Sequence, residues 1–178
     1  MEEFKIDFGS IIAYIIPGFV GLYSLSPYSN IINNLLGKET FVPSIAAIIP
    51  ILIFAIGIGI FLNAVVWMFL RPILHCTCIN VPDFNKLNLN SESLETYKEI
   101  INSTFRYYQF YSNTFISLLM LFISYVHISY VDGKFADKVI SFNMVILIFV
   151  LFIFFLAARN TLKETYKNIS KLMLEEKK

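Results

Sequence analysis

The residues best placed to do chemistry form a polar series in the third long apolar stretch of the chain. Asn102, Arg106, Gln109, Asn113, Ser117, Ser124 and His127, with Met120 completing the series, follow one another at steps of three or four. That spacing puts them on one face of a helix, and the other faces carry mostly Phe, Tyr, Ile and Leu. Polar groups at membrane depth are costly and turn toward protein or water. Two arrangements meet that demand. In one, copies of the chain assemble so that Arg106, Gln109, Asn113, Ser117, Ser124 and His127 line an aqueous path. In the other, the same amides and hydroxyls hydrogen-bond across a helix–helix interface. The end residues lie near water in either case, so Asn113 and Ser117 separate the two.

A second series is basic. Arg159, Lys163, Lys167 and Lys171 recur every four residues near the C-terminus. Such a stripe suits anionic lipid headgroups or a phosphate-bearing regulator, nucleotide or nucleic acid. A solvated face that sets membrane orientation has the same pattern. His75-Cys76-Thr77-Cys78 groups three metal-ligating side chains, but zinc wants about four. The other histidine, His127, belongs near the opposite leaflet. No metal site and no cofactor are expected. The chain has no Gly-rich phosphate loop, no Ser/His/Asp arrangement and no pair of intramembrane carboxylates, so no enzyme is expected.

The elements that must carry these residues are membrane helices. Ser44 to Leu70 is a run of 27 residues without a charged side chain. As a helix it would be about 40 Å long, more than the ~30 Å hydrocarbon core of a bilayer. The chain is 57% hydrophobic and 15% charged, against about 25% charged in soluble domains. Four apolar stretches, about 8–25, 44–70, 107–130 and 139–158, account for most of this. None alternates in polarity, so they read as helices rather than barrel strands. The expected fold is all-α, one domain of four transmembrane helices with cytoplasmic helical extensions of helices 3 and 4.

Charge sets the expected orientation. Eleven of the 14 Lys and Arg residues fall in the N-terminal tail, at Arg71 and in the loop 72–106 that follows it, and in the tail 159–178; Lys38, Lys134 and Lys138 fall in the other two loops. The positive-inside rule then puts both termini in the cytoplasm of a multi-pass protein. The start, Met1-Glu2-Glu3, is acidic where a cleavable signal is basic. Cys76 and Cys78 lie on the reducing side, which argues against a structural disulfide. Abundant Ile, Phe, Asn, Lys and Tyr fit an AT-rich bacterial genome, and hence a bacterial inner membrane.

Local signals refine the helices. Pro17-Gly18, with Gly21 one turn on, predicts either a kink or a close helix crossing in the first helix. Ser26-Pro27 opens, and Gly37 closes, a short helix expected to lie in the outer interface. Pro43 starts the second helix; Ala55, Gly59 and Asn63 form its packing face. Trp67 and Arg71 anchor its end, and Pro72 stops it. Leu94, Tyr97, Ile101, Phe105 and Tyr108 predict one helix from Ser91 into the third span. Leu162, Tyr166, Ile169 and Met173 carry the fourth helix past Arg159.

Ile15-Ile16-Pro17-Gly18-Phe19-Val20-Gly21-Leu22 and Arg106-Tyr107-Tyr108-Gln109-Phe110-Tyr111, set in this four-helix layout, resemble small membrane proteins encoded in bacterial antiphage defence operons. The resemblance implies an oligomeric protein that disrupts the inner membrane or senses its disturbance, beside a cytosolic partner or under a nucleotide-type signal. It carries over no catalytic residue. The leading expectation is a homo-oligomeric, regulated pore-forming or membrane-disrupting effector. The alternative is a non-conducting anchor or adaptor, or a membrane-state sensor, for a cytosolic partner.

Overall fold

The computed structural model describes residues 8–36, 45–77, 79–82, 91–131 and 142–175, and all regular structure among them is helical. Gly37, Pro43 and Cys78, together with the loop around Lys134 and Lys138, lie outside the described residues.

Helix α1 (Phe8–Leu25) runs through Pro17. A short 3-10 turn, Ser26–Tyr28, leads to Ser29 and then to α2 (Asn30–Leu35). The single short helix expected from Ser26 is therefore two pieces. Ser29 is extended, and its hydroxyl accepts from the Ile32 N–H at 3.4 Å, so it caps α2 and ends the turn before it.

Helix α3 (residues 45–75) is α-helical over Ile45–Val65, widens into a π turn over Val66–Leu70 and resumes as α-helix over Arg71–His75. The expected stop at Pro72 thus falls at His75 instead. A proline lacks the N–H and crowds the carbonyl four residues back. Here the Arg71 N–H already bonds Val66 O, five residues back. The wider turn shifts the carbonyl ladder just ahead of the ring, so the helix passes Pro72.

Helix α4 (residues 91–131) is the unbroken helix expected from Ser91, with a second π turn at Ile101–Phe105 between Ser91–Ile100 and Arg106–Val131. The Ser103 hydroxyl donates to Glu99 O at 2.8 Å, and that of Thr104 donates to Ile100 O at 2.8 Å. Both hydroxyls bond back to carbonyls four residues earlier at the entry to the π turn, a pattern that bends helices. Helix α5 (Phe142–Glu175) continues past Arg159 for four further turns, as its spacing predicts.

Among the described residues three helices are long and apolar enough to cross a membrane: Ile48–His75, Ser93–Val131 and Phe142–Leu174. The first of the four expected spans corresponds to α1, whose 18 residues give about 27 Å of helix; it is a shorter apolar helix and is not one of these three.

α1 lies between α3 and α4, and α4 packs on α5. The α1–α3 crossing is built on missing side chains. A Cβ on Gly18 would overlap the Ala55 carbonyl oxygen, and one on Gly59 would overlap that of Tyr14. This is the packing face expected from Ala55 and Gly59, and it runs antiparallel. α4 and α5 are also antiparallel: Phe115 meets Phe155 at 5.6 Å between ring centres, and Thr165 donates to Thr104 at 3.0 Å. The main core gathers where α3, α4 and α5 meet, around Leu62, Val66, Leu70, Leu74, Tyr108 and Leu162. Large apolar residues point outward along α3 and α5, among them Ile53, Phe61, Phe69, Phe149 and Phe152. A surface this apolar fits lipid as its solvent.

Candidate functional site

The middle of the polar series on α4 is turned inward, while Asn102 and His127 at its ends are exposed. Gln109 Nε2 donates to the Tyr14 hydroxyl at 3.2 Å, and Asn113 Nδ2 donates to Ala13 O at 3.1 Å. Farther along, the Tyr28 hydroxyl reaches Ser124 O at 3.5 Å, and its ring lies 5.5 Å from that of His127. Asn113, Ser117 and Ser124 are buried, whereas His127 is exposed. Ser117 spends its hydroxyl on Thr114 O, 2.9 Å away in its own helix. Arg106, nearer the stem, donates to Asn102 Oδ1 at 3.0 Å. Thus Gln109, Asn113, Ser124 and His127 all meet the first 28 residues of the same chain.

One of these contacts has a specific cause. In an α-helix the Pro17 position would donate its N–H to the carbonyl of residue 13. Proline has no N–H, so the Ala13 carbonyl is left without that partner in an apolar bundle. The Asn113 amide supplies the missing donor. Its own Oδ1 is buried without a partner among the described residues, as is Oδ1 of Asn63 on α3.

The basic stripe divides. Arg159 is bound: its Nε donates to Thr77 Oγ1 at 3.1 Å and its NH2 group to Thr77 O at 3.2 Å. It clamps the turn after α3 to α5. Lys163, Lys167 and Lys171 are exposed along the extension of α5.

A second polar group sits at the foot of α3, α4 and α5. Arg71 lies over the Trp67 ring, 3.9 Å from its centre, and donates to the Tyr166 hydroxyl at 2.8 Å. His75 Nε2 is 3.1 Å from the same hydroxyl. The Arg71 Nε and the hydroxyl of Tyr108 are buried with no hydrogen-bond partner among the described residues. Cys76 is exposed beside this group, and the described residues hold no cluster of three His, Cys, Asp or Glu side chains.

Sequence reasoning found Arg71 and the α4 stripe but missed Tyr14, Thr77 and Tyr166 as polar partners and Tyr108 as a buried hydroxyl. Tyr108 and Tyr166 fall on apolar periodicities, which register their rings and hide their hydroxyls. The partners of Tyr14, Thr77 and Tyr166 lie on other helices, so no local spacing announces them. No family model matches the chain, and comparison with curated proteins and with solved structures likewise gave no match.

Proposed function

We propose that the protein is a non-conducting membrane anchor that holds a cytosolic partner at the inner face of a bacterial cell membrane. The supporting observation is that the polar face of α4 is occupied by α1, while α4 and α5 run on as a paired stem. In that stem Tyr166 and Ile169 are buried, Thr104 and Thr165 are bonded, and Glu95, Lys98, Lys163, Lys167 and Lys171 are exposed. In this reading the protein crosses the membrane four times with both termini inside, and the stem is the recruiting surface. The membrane reading rests on three helices that are long and apolar enough to cross, and the sidedness on the distribution of Lys and Arg.

The rival reading, a homo-oligomeric pore-forming effector of antiphage defence, requires α1 to leave its seat on Gln109 and Asn113. The defence setting rests on the resemblance of the Pro17-Gly18 and Arg106–Tyr111 segments.

The test is purification from a native membrane, comparing the intact protein with a variant carrying Lys163→Glu, Lys167→Glu and Lys171→Glu. The expected result is a stoichiometric soluble partner that is lost with the variant while membrane insertion is unchanged. Single-channel conductance in planar bilayers, altered by Asn113→Leu and Ser117→Leu, would overturn the proposal and restore the pore.

A further inference from the structure

We propose that Arg71, with Tyr108, Tyr166 and His75, forms a binding site for the phosphate of an anionic phospholipid headgroup. The charge comes first. Arg71 follows directly on 27 residues without a charged side chain. Its partners among the described residues are a hydroxyl and an aromatic ring, neither of which neutralises it. An arginine at that level attracts an anion strongly, because the surrounding dielectric is low.

The unmet hydrogen bonds come second. Among the described residues the buried Arg71 Nε–H has no acceptor, and the Tyr108 hydroxyl, on a residue only 1% exposed, has no partner either. Tyr108 and Tyr166 belong to one core cluster with Leu70 and Leu74, which bracket Arg71 on α3, so the orphaned groups share one neighbourhood. A buried polar group left unpaired is destabilising, because it has given up its bonds to water without replacing them. Phosphate oxygens meet this need, since a guanidinium engages them through two parallel N–H bonds. The Tyr166 hydroxyl already aims the fork, and the Trp67 ring covers one side of it.

The surroundings identify the source of the phosphate. Met68, Phe69 and Ile73 flank the site and are 67%, 60% and 55% exposed. A water-borne anion gains nothing from them, whereas the acyl chains of a lipid lie along them while its headgroup reaches Arg71. The basic residue at the start of the predicted lipid stripe, Arg159, is engaged with Thr77, which leaves Arg71 as the built site. This inference needs α3 to cross the membrane and does not depend on what the stem recruits.

Trp67 is the only tryptophan in the chain and reports directly on the site. The full-length protein in uncharged detergent is titrated with dioctanoyl phosphatidylglycerol, with dioctanoyl phosphatidylcholine and with inorganic phosphate, following Trp67 emission. Phosphatidylglycerol should saturate at about fivefold lower concentration than phosphatidylcholine, the order expected for one unshared basic residue, and inorganic phosphate should leave emission unchanged. Arg71→Gln should weaken phosphatidylglycerol binding about tenfold, the order of one charge-assisted hydrogen bond. Tyr166→Phe keeps the charge and should weaken binding about threefold by releasing the fork. Lys163→Gln should leave it unchanged. Equal binding of the two lipids would overturn the proposal without any variant, as would indifference to Arg71→Gln. Saturation by inorganic phosphate would make this a site for a soluble anion and overturn its assignment to lipid.

Discussion

Pro17 and Asn113 are 96 positions apart in the chain and act on one carbonyl, that of Ala13. Proline withdraws a donor and asparagine returns one. Asn113→Leu should therefore destabilise the protein by about 1–2 kcal/mol, the range for an interhelical hydrogen bond in a membrane protein. In a Pro17→Ala background the backbone N–H at position 17 can bond Ala13 O, so the same substitution should cost distinctly less. A double-mutant cycle, read from unfolding in detergent, measures this coupling. Equal costs in both backgrounds would remove the proposed exchange of donors. The sequence marks both residues as unusual, one as a helix breaker and the other as an amide at depth. It cannot pair them, because side-chain periodicity describes one helix at a time. Tyr108 and Tyr166 were less legible still, since a tyrosine on an apolar stripe has the same spacing whether or not its hydroxyl has work to do.

At the scale of the element, the α1–α3 crossing depends on two glycines and is indifferent to a third. Gly59→Leu would drive a side chain into the Tyr14 backbone, whereas Gly57 faces open space with nothing within 4 Å of an added Cβ. Gly59→Leu should cost about 2 kcal/mol or more through overpacking, and Gly57→Ala should be neutral or stabilising by up to ~1 kcal/mol through helix propensity. Thermal midpoints in detergent compare the two; equal losses would mean that the crossing is not where α1 is held. The long helices were legible because Leu94 to Tyr108 and Leu162 to Met173 keep helical spacing across the boundary of the apolar stretch. Both π turns escaped notice, since widening by one residue changes neither composition nor the average period. The end of α3 was misplaced for the same reason: Pro72 reads as a terminator only when the turn before it is α-helical.

For the whole molecule, the exterior is apolar and a polar seam lies beneath α1. Ile53, Phe61, Phe149 and Phe152 face outward, and the amides of α4 face the first helix of their own chain. Composition made the membrane class legible. The occupant of the polar face was not, because a pore and a protein interface ask for the same residues at the same spacing. Water access to position 113 decides between them most directly. Asn113→Cys and, separately, Lys98→Cys are placed in a Cys76→Ser, Cys78→Ser background, reconstituted in liposomes and exposed to a water-soluble maleimide. The thiol introduced at position 98, on the stem, should label in the molecules whose stem faces the reagent, while the thiol at position 113 stays unlabelled until the protein is unfolded. Labelling at position 113 in intact liposomes, to the extent seen at position 98, would contradict the account.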